Sequence, residues 1–144
     1  FSLQSGLATS FRFDPLDRAV EKLWQSGIVV VTAAGNDATN GQPNGVLFSP
    51  ANDPFVLTVG ALDDKGSPSP GDDFNAPWSS YGYTVDGFAK PEVAAPGRYV
   101  IEQVPTGTSL AAERPYAVVK DGFWTVAEIC TPDAAAACKS AGLT

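Results

Sequence analysis

The run Ile28-Val29-Val30-Val31-Thr32-Ala33 narrows the possible folds of this chain more than any other segment. Apolar and β-branched residues without polar alternation read as a strand buried on both faces, as in a parallel sheet flanked by helices. Directly before it, Asp14 to Ser26 reads as a helix. Asp14 suits the N-cap, Pro15 the first helical position, Asp17 the positive helix end, and Gly27 the stop. Leu16, Ala19, Val20, Leu23 and Trp24 recur at i, i+3, i+4, i+7 and i+8, which predicts one buried face with Trp24 in the core. A helix leading straight into such a strand is half of a βαβ unit, so an α/β architecture is expected.

The remaining segments fit that frame. Gly35, Asn36 and Asp37 open a polar, glycine-rich loop, and Phe55 to Leu62 reads as a second buried strand. Residues 63 to 79 are mostly Asp, Gly, Ser and Pro, a surface excursion without a strong element. Shorter extended pieces are expected around Val93 to Ala95 and Tyr99 to Val104, and the Ala-rich tail from Pro132 is weakly helical. The 144 residues suit one domain, with 1–124 as its body and 125–144 as a divergent tail.

A net charge of −7 argues against a nucleic-acid partner, which would need clustered Lys and Arg. No apolar run approaches the length of a membrane span, and Phe1-Ser2-Leu3-Gln4 lacks the basic start of a signal peptide. Without an initial Met, the sequence reads as cut from something longer. Cys130 and Cys138 flank Pro132. If that proline breaks the local helix a small disulfide loop is allowed, whereas on one continuous helix the two Cα atoms would lie about 12 Å apart. Two thiols without histidine do not make a zinc set.

Several phrases, taken in order, resemble the subtilase family of serine proteases. They are Ser2-Leu3, the helix 14–26, Gly27 through Asn36, and Ser49-Pro50-Ala51-Asn52-Asp53-Pro54. Val59-Gly60-Ala61, Trp78-Ser79-Ser80-Tyr81-Gly82 and Lys90-Pro91-Glu92-Val93-Ala94-Ala95-Pro96-Gly97 follow. The resemblance implies a subtilisin-like α/β fold: part of a doubly wound, mostly parallel sheet with flanking helices, incomplete in these 144 residues. A sheet cut in this way is expected to expose a strand edge and to be marginal or aggregation-prone alone. The resemblance also implies a peptide or protein substrate, a secreted or extracytoplasmic location, and a partner segment carrying the upstream part of the catalytic domain.

Asn36 is the site residue whose chemistry is easiest to state. At the carboxyl end of a parallel strand, its amide can donate to a developing oxyanion. In a subtilisin, removing the equivalent asparagine costs about 10²–10³ in kcat, a magnitude taken from that enzyme. For the specificity pocket the resemblance implies Ser5 and Gly6, then Ala33, Ala34 and Gly35, then Ser49 and Pro50. Their small side chains leave room for a substrate side chain and equally suit close strand packing. Gln4 stands where the family usually has glycine, which would crowd the substrate strand.

Nucleophilic acyl transfer needs a serine activated by a base, and this chain contains no histidine. The family places its Asp and His before the region matched here. Gly107-Thr108-Ser109-Leu110-Ala111-Ala112 resembles the family's nucleophile block, making Ser109 a candidate. Against it, the expected proline arrives only at Pro115, after Glu113-Arg114. A second alignment treats this stretch as an insertion and expects the nucleophile after Asp121-Gly122-Phe123-Trp124, where no serine follows. The second alignment is preferred, so the resemblance ends near Trp124 with its nucleophile block missing or replaced. Cys130 has no adjacent base to activate it and reads as a small hydrophobe.

No cofactor is expected. Asp63, Asp64, Asp72 and Asp73 lack the spacing of a calcium loop and read as a solvated acidic surface. Lys90 reads as a turn anchor. The functional expectation is a segment of a subtilisin-like serine endopeptidase, inactive alone for want of histidine. The alternative is a protease-derived pseudoenzyme or truncated product that at most binds peptide. A nucleotide-binding module is disfavoured because no Gly-x-Gly-x-x-Gly or P-loop follows a strand.

Overall fold

A computed structural model describes residues 1–98, 100–103, 107–113, 118–121 and 124–128. Helix α1 spans Pro15–Gln25, capped by Asp14, whose carboxylate accepts from the Leu16 and Asp17 amides. Gly27 leaves the helix at φ +83°, a conformation that costs a glycine nothing. The chain then enters β1 (Val31–Ala33), β2 (Leu57–Asp63), β3 (Phe74–Asn75), β4 (Gly82–Tyr83), β5 (Ala89–Lys90) and β6 (Val93–Pro96). Strands β1 and β6 flank β2 and both run parallel to it, with Ala33 and Val93 each opposite Val59. Strand β3 joins the end of β2 antiparallel, through Leu62 and Asn75, while β4 and β5 form a separate antiparallel pair.

One face of the parallel sheet is covered. Val30, Thr32 and Ala34 alternate inward, and Val30 packs with Val56 and with Val20 of α1, joined by the half-buried Leu23. A second small cluster holds Ala34, Val46 and Ala51. The opposite face is open, with Val31, Leu57 and Val93 all exposed. Of the run 28–33 only Val30 and Thr32 are buried, because only one layer of cover lies against it among the described residues.

Two further expectations need correction. Trp24 is 45% exposed and is not core, since the cover offered to α1 by Val30 and Val56 reaches only the middle of the helix's apolar stripe. Asp17 sits in the first turn as expected, and it is fully buried. Asp63 is likewise buried and pairs with Arg98, while Lys65 donates to it across a turn, so it is no part of a solvated acidic surface.

The chain divides into two compact units, 1–98 and 99–144. In the second, β7 (Ile101–Gln103) is followed by α2 (Ser109–Glu113), β8 (Val118–Asp121) and β9 (Trp124–Glu128). These strands form an antiparallel sheet with β9 central, placing Ala127 opposite Glu102 and Val126 opposite Val119. Cys130, Cys138 and the tail from Pro132 lie outside the described residues. Among the described residues no helix is long and apolar enough to cross a membrane.

Candidate active site

A concave cleft of about 460 Å³ lies along the parallel strands of the first unit. Strand β1 and its continuation line it through Ala33, Ala34, Gly35 and Asn36. Val59, Gly60 and Ala61 contribute from β2, Ala95, Pro96 and Gly97 from the end of β6, and Phe1 and Ser2 from the far flank. No charged side chain is among them, so the cleft is shaped by small residues. The glycines allow close packing: a Cβ on Gly97 would stand 2.7 Å from the Ala61 Cβ, which leaves no room for it, while one on Gly60 would stand 3.0 Å from Pro91 Cγ, a tight contact.

The chain's first residues run beside β1. The Phe1 amine donates to the Val31 carbonyl, and Ala33 N donates to the Phe1 carbonyl at 3.0 Å. On the other side Ala34 N donates to Val59 O at 2.9 Å, extending the β1–β2 ladder by one bond past the strand. At Gly35 the backbone turns with φ +102°. A Cβ there would sit 2.7 Å from Gln4 Oε1, 3.1 Å from Asp37 Oδ2 and 3.2 Å from Ser80 Oγ. Glycine is thus needed both for the turn and for the close approach of three side chains.

Asn36 follows at the rim of the cleft. It is exposed, and no hydrogen bond among the described residues takes up its side-chain amide. Its neighbours are pinned. Ser80 N donates to the Gly35 carbonyl at 3.0 Å, and Asp37 N donates to Ser80 Oγ at 3.0 Å. Beyond Asp37 the loop is stitched to the segment 77–81: Ala38 N donates to Trp78 O, Gly41 N to Pro77 O, and Tyr81 Oη to Gly41 O. Gln4 Nε2 reaches Asp37 Oδ2 at 3.3 Å, so the residue that replaces the family's glycine lies over Gly35 and ties down the loop after it.

The remaining pocket candidates stand elsewhere. Ser5 N donates to Ser49 O at 2.8 Å, so those two segments do meet, but Ser5, Gly6, Ser49 and Pro50 do not line the cleft. Ser49 is fully buried and gives its hydroxyl to Asp14 Oδ1 at 2.9 Å. The structure therefore assembles Ala33, Ala34, Gly35 and Asn36 into one site and places the Ser5–Ser49 pair near the start of α1. Ser109 is the exposed first residue of α2, in the second unit. Cleft residues 59–61 and 95–97 belong to phrases that stand out in the sequence, yet nothing local marks them as lining, because their meeting depends on the β2–β6 register.

Carboxylates cluster at the start of α1 and in the turn after Ser49. Burial would raise the Asp14 carboxyl, but hydrogen bonds from Ser49, Leu16, Thr9 and Asp17 outweigh it and hold the group below its ordinary value. Asp17 goes the other way: burial first, then the charges of Asp14, Asp53 and Glu21, push it up to about 7. Asp53 is raised to about 6 by burial against the opposing Phe55 amide bond, with Glu21 raising and Lys90 lowering it. Elsewhere Asp64 caps the turn at Gly66, and Asp72 accepts from Ser67. Among the described residues no group of three or more His, Cys, Asp or Glu is placed to share a metal ion.

The cleft, lined by the parallel strands β1, β2 and β6 and with an unspent amide at its rim, sits on an α/β scaffold. The chain belongs to the subtilase family, whose model matches residues 6–122. It is 49% identical over 88 residues to the serine protease AprX of Bacillus subtilis (strain 168), a match covering 61% of this chain and 19% of AprX. With subtilisin DY of Bacillus licheniformis the identity is 39% over 93 residues, covering 65% of this chain and 29% of that protein. Among solved structures, the prenylagaramide maturation protease PagA matches with a TM-score of 0.49 and 26% identity, over 74% of this chain and 32% of PagA. The chain thus spans less than a third of each of these relatives.

Proposed function

We propose that this chain is a segment of a secreted, subtilisin-like serine endopeptidase, and that Asn36 is its oxyanion donor. The observation that carries the reading is the exposed Asn36 amide, free of protein partners, at the rim of a cleft of small residues. When a peptide carbonyl is attacked, negative charge develops on its oxygen. A donor already oriented toward that position stabilises the charge without reorganising. The small residues Ala33, Ala34 and Gly35 leave space beside Asn36 for a substrate side chain and bring backbone groups within reach of the peptide.

The base comes from outside these 144 residues, since the chain has no histidine. An upstream Asp and His would orient and deprotonate the nucleophile, and then pass the proton to the leaving amine. The reaction runs on side chains and needs no cofactor. The missing histidine also favours a second reading, a protease-derived pseudoenzyme that binds peptide in the cleft without cleaving it.

A serine-directed phosphonate separates the two when applied to the chain alone and to the chain joined to segments that supply the Asp, the His and the nucleophilic Ser. Labelling in the joined form only is the expected result. Labelling at Ser109 makes that residue the nucleophile and overturns the preferred alignment. No labelling in either form, with folding intact, overturns the protease reading in favour of the pseudoenzyme.

A further inference from the structure

Asn36 has a structural difficulty that its proposed role makes acute. An oxyanion donor must be held still, yet Asn36 is exposed, lies beyond the end of β1, and follows a glycine in the left-handed region. Neither its own N–H nor its carbonyl is among the described backbone hydrogen bonds. What fixes it must act on its neighbours.

Both neighbouring peptide groups are held by one residue. Ser80 N donates to the carbonyl of Gly35, and Ser80 Oγ accepts from the N–H of Asp37, each at 3.0 Å. The two bonds fall on either side of Asn36 and so fix the path of the backbone through it. Ser80 is itself well anchored, with 1% of its surface exposed. Asn44 Nδ2 donates to the same hydroxyl at 3.2 Å, and Asn44 Oδ1 accepts from Tyr81 N. Its neighbour Ser79 is tied to the sheet, because Ala61 N of β2 donates to Ser79 Oγ at 2.8 Å. A continuous path of hydrogen bonds thus runs from a central strand, through the Ser79-Ser80 pair, to the two peptides that bracket Asn36.

We propose that Ser80 is the positioning residue for Asn36, its N–H and hydroxyl together clamping the turn that aims the Asn36 amide into the cleft. The proposal rests on the reading of Asn36 as the oxyanion donor for its functional consequence, but the clamp itself is testable without it. Ser80 touches no substrate in this account. It acts by limiting where the donor can go, and a donor displaced by about 1 Å loses much of its effect on rate.

The test starts with the chain as it is, using amide hydrogen exchange resolved by residue. Ser80→Ala keeps the bond to Gly35 and removes the acceptor for Asp37. Exchange at Asp37 N–H is expected to speed up at least about tenfold, while Ala34 N–H, bonded to Val59 O, stays protected. A purely structural role would loosen both together. Ser80→Thr keeps the hydroxyl and is expected to keep Asp37 protected. Asn44→Ala removes the other partner of that hydroxyl, together with the acceptor for Tyr81 N, and should also leave Asp37 protected.

In the form joined to segments that supply the Asp, the His and the nucleophilic Ser, Ser80→Ala is expected to lower kcat by between about tenfold and about a hundredfold with KM nearly unchanged. In an Asn36→Ala background the same substitution should lower kcat no further. Unchanged Asp37 exchange in Ser80→Ala, lost protection in Ser80→Thr, or full multiplication of the two kcat losses would each overturn the proposal. Should Asn36→Ala alone leave kcat unchanged, the oxyanion reading fails, and the exchange result still decides whether Ser80 holds the turn.

Discussion

Asp17 gives a pH dependence whose sign and size follow from its surroundings. It lies in the first turn of α1 with no exposed surface, and neither carboxyl oxygen has a hydrogen-bond partner among the described residues. Burial, then the Asp14, Asp53 and Glu21 charges, raise it to about 7, and the Ser49 hydroxyl, whose hydrogen bond goes to Asp14, offsets only part of this. In the unfolded chain the same group titrates near about 3.9. The folded protein therefore holds this proton more tightly than the unfolded chain does. Its contribution to stability is fully present below about pH 4 and is lost as pH rises through about 7. Three units at about 1.36 kcal/mol each put an upper bound of about 4 kcal/mol on the loss.

Asp53, raised to about 6, acts in the same direction, over a window that closes about one unit lower. Asp14 is held low, so its contribution is present above about pH 4 and is lost only in more acid solution, outside the range tested. Asp17→Asn mimics the neutral carboxyl and removes its titration. Urea unfolding at pH 5 and pH 8 should show the parent losing about 2 to 4 kcal/mol between the two, and the variant losing distinctly less. At pH 8 the variant should be the more stable protein. A ¹³C titration should place the Asp17 carboxyl near 7. Parallel losses in parent and variant, or a carboxyl titrating near 4, would refute the reasoning.

Two further substitutions probe the scaffold of the cleft. Lys90 is buried, with Nζ 2.6 Å from Glu92 Oε1 and donating to Val56 O at 2.9 Å, whereas Glu92 is partly exposed. Glu92→Gln strands a buried ammonium and should cost about 3 kcal/mol in urea unfolding, more than Lys90→Met, which leaves only a carboxylate that water can reach. The reverse order would contradict this asymmetry. Gly35→Ala puts a side chain at φ +102° against Gln4 and Ser80 and should cost about 1–2 kcal/mol, read from the shift in urea midpoint at constant m. A neutral result would mean that the turn relaxes more easily than its contacts imply.

What the sequence discloses here is mostly local. Asp14, Pro15 and Gly27 mark α1 almost to the residue, because capping and helix termination depend on immediate neighbours. The strand ending before Asn36 is legible for the same reason. Strands β3, β4 and β5, two residues each, are not. They are defined by pairing with distant partners, and two residues carry no periodicity.

The candidate site divides along the same line. Ala33 to Asn36 are contiguous, and the structure keeps them together in the cleft. Ser5, Gly6, Ser49 and Pro50 are joined to the site only by family resemblance and do not line the cleft; Ser49 instead gives its hydroxyl to Asp14, and its carbonyl accepts from Ser5 N. Ser80 lies in a phrase that stands out in the sequence, but its bonds to Gly35 and Asp37 span more than forty residues, and only the folded chain brings them together. The burial of Asp17 is equally hidden. Its position in the first turn suits a surface charge facing the helix dipole, and only the packing of α1 against the 49–53 turn puts it inside.

The most direct test of the account is kcat for peptide hydrolysis by Asn36→Ala, with the chain joined to segments that supply the Asp, the His and the nucleophilic Ser. The account predicts a fall of about 10²–10³ with KM nearly unchanged, the size measured for such a donor in a subtilisin. An unchanged kcat, or a joined form that folds and hydrolyses nothing, would contradict it.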